Sequence, residues 1–284
     1  MKRIGIFLVV LLMLPLSGCS IVSIGYNYAD AYLRYSINSY TTFNDTQKAI
    51  IKQEVDVFMQ WHRREMLPQY VNFLGELQQL AQAGETLKVE DVGRLRVAAR
   101  KLYVKTLQPT VSPAASLLSG LDAAQIDELV HSFAKENNRQ RDKVLTGNLH
   151  EQLRKRAERT IDFIESLVGG LTDEQQEKIR EQSHKVPFTT ALYLRLREDN
   201  QAGLIMLLKN NKSDEEIAAF LSGWLMTPED NRSPDEQDIL MSFERATDEM
   251  IVTVYAMLNE RQRKTLLKNI TKYIDSFTQL ASGT

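Results

Sequence analysis

Four segments of the 284-residue chain share one pattern, and it restricts the fold more than any other feature. They are Phe43-Asn44-Asp45-Thr46-Gln47, Leu121-Asp122-Ala123-Ala124-Gln125, Leu171-Thr172-Asp173-Glu174-Gln175 and Leu258-Asn259-Glu260-Arg261-Gln262. Each places an apolar residue, then Asn, Asp or Thr, then two variable residues, then Gln. The short polar side chain accepts a hydrogen bond from the amide three residues on, and the glutamine there reaches back to the cap N–H. The pattern therefore marks helix N-termini. The leading apolar residue can fold over the first turns as a staple, and Leu121 with Ile126 has the ideal spacing for it. A further apolar residue recurs eight positions after the first, as Ile51, Leu129, Ile179 and Leu266.

The rest of the chain agrees with helix. Leu, Gln, Glu, Lys, Arg and Ala dominate, all strong helix formers, and no stretch alternates with period two over β-branched residues. The fold class is all-α, a multi-helix bundle of about eight to ten helices with long antiparallel members. Residues 44–82 predict one long helix that Pro68 should kink or interrupt. Residues 90–107 follow, and Pro109 and Pro113 mark a connection. Residues 122–167 predict one very long helix or two, with Gly147 as the weak point; Gly169-Gly170 stops it and sets a possible sub-boundary near 169–171. Ser213 with Glu216, and Ser233 with Glu236, form two more capping boxes, the second with Pro234 at the first helical position.

Leu171-Thr172-Asp173-Glu174-Gln175 is a literal L-T-x-x-Q, and the other three starts are relaxed versions. This resembles the motif of the Spy/CpxP-type periplasmic helical proteins. That resemblance implies a chaperone, stress-regulating or metal-responsive role in the cell envelope. Helix capping alone also explains the motif.

The amino terminus gives an address. Lys2 and Arg3 precede an apolar run, Ile4 to Leu16. The run suits a signal peptide and is too short for a transmembrane helix, which needs about 20 apolar residues. It ends in Leu16-Ser17-Gly18-Cys19, which resembles the bacterial lipobox. That resemblance implies removal of residues 1–18 and acylation of Cys19. Several acyl chains would hold the protein firmly, since each buried CH₂ contributes about 0.8 kcal/mol. Ser20, rather than Asp, after the cysteine implies the outer membrane, facing the periplasm or the cell surface. Cys19 is the only cysteine, so the body is expected to be free of disulfides and of cysteine-held zinc. No cofactor is expected beyond the covalent lipid.

Residues 19–43 form a lead-in with tyrosines at 26, 28, 32, 35 and 40, and residues 44–284 form the helical domain. Tyr28, Tyr32 and Tyr35 share one helical face. They either pack in the core or rest as an aromatic belt on the membrane beside the anchor. The lipobox, Tyr26-Asn27-Tyr28-Ala29-Asp30, Trp61-His62-Arg63 with Leu67-Pro68 and Tyr70, and the Gln-capped helices together are similar to an uncharacterised family of proteobacterial lipoproteins, a domain of unknown function. The similarity implies location and fold and supplies no catalytic residue.

Two clusters could contact a ligand or partner. Trp61, His62, Arg63 and Arg64, with Tyr70, combine stacking rings and guanidinium forks that suit an anion; alternatively Trp61 is core and the arginines pair with acidic neighbours. The stretch from Lys135 to Arg159 has eight basic against four acidic residues. Its Arg139, Arg141, Lys143, Arg154, Lys155, Arg156 and Arg159 could meet lipid phosphates or an acidic client, or form a solvated helix face. Nucleic acid is not an expected partner: the overall charge is −2 and falls to −4 without Lys2 and Arg3, and the basic stretch lacks interleaved aromatics. His62, His131, His150 and His184 are scattered, and no metal site is expected. No G-x-S-x-G, P-loop or dinucleotide-binding glycine pattern occurs. The sequence thus suggests a non-enzymatic binding or chaperone-like envelope factor. The alternatives are a structural partner of an outer-membrane or cell-wall complex and, third, an envelope hydrolase.

Overall fold

The computed structural model describes residues 19–83 and 86–283, so the expected signal segment 1–18 lies outside the described residues. Within them the chain is helical and contains no strand. The lead-in forms α1 (Cys19–Asn27) and α2 (Ala29–Asn38). Next come α3 (Asp45–Trp61), a π-turn (His62–Met66) and α4 (Leu67–Gln82), which continue one another. α5 (Val89–Leu107) leads through a 3₁₀ turn (Gln108–Thr110) into α6 (Val111–Ser119). The expected connection at Pro109 and Pro113 is therefore itself helical. Both prolines sit in first turns, where a missing N–H leaves nothing unpaired.

The stretch 122–167 is two helices, α7 (Ala123–Val144) and α8 (Leu149–Val168). Gly147 takes φ +87° between them, and Asn148 caps α8. The remainder is α9 (Asp173–Lys185), α10 (Thr190–Lys209), α11 (Asp214–Met226), α12 (Pro234–Ala256) and α13 (Glu260–Ser282). Asn44, Asp122, Thr172, Ser213, Ser233 and Asn259 all form capping boxes, as the spacing predicts.

The four glutamines of the repeated pattern do more than cap. Gln47 and Gln125 are buried and pair amide to amide: Gln47 Nε2 donates to Gln125 Oε1 (3.1 Å) and Gln125 Nε2 donates to Gln47 Oε1 (2.7 Å). Each also donates across to the backbone, Gln47 to the Gly120 carbonyl and Gln125 to the Thr42 carbonyl. Gln175 and Gln262 repeat the arrangement (2.9 and 2.8 Å), donating to the Met257 and Gly170 carbonyls. In every case the accepting carbonyl belongs to the residue just before the partner's leading apolar residue. With the cap N–H bonds to their Oε1 atoms, all four amides have both donors and both acceptor positions filled. The pattern thus builds two symmetric clasps, each joining two helix N-termini distant in sequence.

Three apolar clusters fill the interior. The first unites α3, α6 and α7 with α10 and α11, through Phe43, Ile51, Val111, Leu129, Leu204 and Ile217. The second gathers Met66, Leu67, Tyr70, Phe277 and Leu280, where α4 lies against α13. The third joins α8, α9 and the loop before α13 through Ile161, Ile164, Val168, Ile179 and Leu258. Residues on either side of 169–171 thus share the first cluster.

Candidate functional site

Pro68 sets the local geometry. Its ring collides with the carbonyl four residues back, that of Arg64, and it cannot donate a hydrogen bond. The chain widens into the π-turn, and the Leu67 N–H donates to the His62 carbonyl, five residues back. Such turns are rare and recur at functional sites. Here the turn carries His62 and Met66 into the interior, His62 at 2% exposure.

His62 lies in an aromatic box. The rings of Tyr26, Phe58, Trp61 and Tyr70 stand 5.8, 5.6, 6.4 and 5.6 Å from its centroid. Tyr26 Oη is 2.9 Å from Nδ1 and Tyr70 Oη is 3.4 Å from Nε2. Tyr70 Oη is also 2.6 Å from Thr106 Oγ1, which donates to the Leu102 carbonyl (2.8 Å). That last bond fixes the order of the others. The Thr106 hydroxyl has donated its proton, so Tyr70 donates to Thr106. Tyr70 then accepts from His62 Nε2–H, and His62 Nδ1 accepts from Tyr26. The result is one directed chain across α1, the π-turn, α4 and α5, with the imidazole neutral.

Burial favours that neutral form. It pushes the His62 pKa from 6.5 down to about 4, because desolvation penalises the charged imidazolium. Burial also raises the Tyr26 phenol, against the opposing field of Arg63. The Tyr70 phenol is raised by burial against its bond to Thr106. Arg63 lies over the Tyr26 ring (5.3 Å to the centroid) and donates to Asn27 Oδ1 (3.2 Å). The π-turn therefore grips α1 twice, with His62 from inside and Arg63 from outside.

The five clustered residues separate by role. His62 and Tyr70 bond to each other in the interior, Trp61 packs beside them, Arg63 holds α1, and Arg64 is exposed. A buried, doubly bonded, neutral imidazole has no free edge for an anion. Tyr26 and Thr106 complete the network. Tyr26 stands out in the sequence as one of five tyrosines and within Tyr26-Asn27-Tyr28-Ala29-Asp30, neither of which ties it to His62, and nothing in the sequence marks Thr106.

The seven basic residues divide between two helices. Arg139 pairs with Glu136, Arg141 with Glu198 and Lys155 with Glu151. Arg156 turns inward and donates to the carbonyls of Ser183, Val186 (2.8 Å) and Pro187 (3.0 Å), closing the C-terminal end of α9. Lys143, Arg154 and Arg159 are exposed. Replacing Arg156 by alanine orphans three carbonyls and should lower stability by about 2 kcal/mol. Lysine should restore little, since one ammonium cannot reproduce the guanidinium fork. Thermal unfolding of the two variants tests both statements.

Among the described residues no group of three or more His, Cys, Asp or Glu side chains is placed to hold a metal ion. No described helix is long and apolar enough to cross a membrane. Comparison with known families gives a match over residues 39–235. The chain belongs to DUF6279, a family of unknown function. This agrees with the resemblance to an uncharacterised domain family. The DUF6279 region opens at Ser39 and closes at Asp235. It holds the Gln47–Gln125 clasp, His62, Tyr70 and Thr106, and leaves Tyr26 and Gln262 outside. No curated protein and no solved structure matches the chain.

Proposed function

We propose that this DUF6279 protein is an outer-membrane-anchored lipoprotein that works by binding other envelope proteins at the membrane surface, in a chaperone-like manner and without catalysis. The observation that carries the reading is Leu16-Ser17-Gly18-Cys19 behind its basic and apolar regions. The geometry downstream is consistent with it: the backbone is helical from Cys19 on, and α1 lies against α13. An acyl chain on Cys19 would therefore hold the bundle close to the bilayer rather than on a long leash. Clients would be met at the inner surface of the outer membrane.

Replacing Cys19 by serine should move the protein from the membrane pellet to the soluble envelope fraction. The wild-type amino-terminal peptide should carry acyl mass. A wild-type protein without acyl mass would refute the anchor. For the binding role, the purified protein at several-fold excess should suppress aggregation of a denatured envelope protein, and unchanged light scattering would refute it. The rigid join of α1 to the bundle also favours a second reading, a structural partner fixed within one membrane complex. Crosslinking in intact cells separates the two: one stoichiometric partner supports the complex, a broad set supports the chaperone.

A further inference from the structure

The lead-in helices are apolar on two opposite faces, and the bundle covers only one of them. The Tyr28 N–H donates to the Ile24 carbonyl and the Tyr32 N–H to the Tyr28 carbonyl, so α1 runs into α2 with its helical phase kept. At about 100° per residue, Val22, Tyr26, Leu33 and Ile37 fall within one sector of roughly 60°. They all pack on the interior, Val22 and Tyr26 on the second cluster and the other two on the first. Ile24, Tyr28, Tyr32 and Tyr35 fall in a sector of about 80° on the other side, along roughly 16 Å of axis. They are 54, 69, 47 and 67% exposed. The core alternative for the tyrosine stripe is therefore ruled out by their exposure. Beside the stripe, Arg34 pairs with Asp30 and Asp56 (2.8 Å), so its charge is already compensated.

We propose that Ile24, Tyr28, Tyr32 and Tyr35 form a second membrane contact, lying in the headgroup region of the leaflet that holds the anchor. This rests on the reading of Cys19 as acylated. Three things select a bilayer as the occupant. The stripe begins one helical turn or so after Cys19, so the anchor would keep it at the lipid surface. Tyrosine carries an apolar ring with a polar tip, the combination that membrane interfaces favour. The stripe itself carries no charge, so burial at the headgroup level costs little. The acyl chains would hold the protein on the membrane, and the stripe would fix its orientation, with the His62 box and Arg63 transmitting that orientation from α1 to the bundle.

The test uses the full protein purified from bacterial envelopes and placed in phosphatidylethanolamine–phosphatidylglycerol vesicles that contain a nitroxide-bearing lipid. A thiol-reactive fluorophore is attached at Tyr32→Cys or, for comparison, at Lys212→Cys in the α10–α11 turn. Lipid quenching at position 32 should exceed that at 212 by roughly two-fold or more, as expected for an interfacial site. Adding Tyr28→Ser and Tyr35→Ser should lower it toward the value at 212. Equal quenching at both positions overturns the proposal. So does a label at 32 shielded from both lipid-borne and aqueous quenchers, which would place a protein on the stripe. The mass of the amino-terminal peptide is read separately. An unmodified Cys19 refutes the anchor, whereas acylated protein with an unquenched label refutes the stripe alone.

Discussion

Acidification from pH 7 to pH 4.5 is expected to weaken this protein by roughly 2.5 kcal/mol through His62 alone. In the unfolded chain a histidine titrates near 6.5, whereas in the folded state burial moves His62 to about 4. Above pH 6.5 the ring is neutral in both states and its full contribution is present. Between about 6.5 and 4 the unfolded chain takes up a proton that the folded protein refuses, so stability falls as pH falls. Below about 4 both states are protonated and this loss levels off. His62→Phe separates the effect from that of the carboxylates. A phenyl ring keeps the aromatic box but orphans the Tyr26 hydroxyl and the link to Tyr70. The variant should therefore be weaker at pH 7 by about 1–3 kcal/mol, the cost of unpaired buried polar groups. The difference should move by roughly 2.5 kcal/mol in the variant's favour at pH 4.5, closing the gap or reversing it, because phenylalanine has no proton to refuse. Urea unfolding followed by tryptophan fluorescence reports it, since Trp61 lies beside the ring. A gap that stays constant between the two pH values would show that His62 is not the buried neutral group described here.

How far the sequence discloses this arrangement depends on the range of each contact. Helix starts are local: a cap and its glutamine sit three residues apart, and every capping box read from the chain is present. The effect of Pro68 is local too, although the sequence could not distinguish a kink from the π-turn that forms. The His62 box is not local. Tyr26 reaches it from 36 residues upstream and Thr106 stands 36 residues beyond Tyr70, so the sequence leaves open whether Trp61-His62-Arg63 contacts a ligand or packs Trp61 in the core, and does not show that His62 is the interior residue. Tyr28, Tyr32 and Tyr35 show the converse. Their spacing marked one face, but only packing could decide whether that face looks inward or outward. Arg156 likewise counted as one charge of a basic face, because nothing in the chain announces that the end of α9 arrives within its reach.

The glutamine clasps give the second large effect. Gln262 is 1% exposed and makes four hydrogen bonds, two of them to Gln175. Gln262→Leu keeps the volume but leaves unpaired the Asn259 N–H, the Gly170 carbonyl and half of the Gln175 amide. Each buried unpaired group costs about 1–3 kcal/mol, so a loss of roughly 3–4 kcal/mol is expected after local relaxation. Gln175→Leu should cost a similar amount for the mirror-image reason. The double variant should cost less than the sum by about 1–3 kcal/mol, because the second substitution removes the very group the first had orphaned. Pairing Gln262→Leu with Gln47→Leu, from the other clasp, should instead give losses that add within about 0.5 kcal/mol, since the two share no partner. Thermal unfolding of the five variants completes the comparison. Additivity within the Gln175–Gln262 pair would mean that each glutamine merely caps its own helix. Coupling confined to each clasp would mean that the repeated pattern acts in pairs, and that the likeness to L-T-x-x-Q proteins reflects how helices are joined before it reflects what they bind.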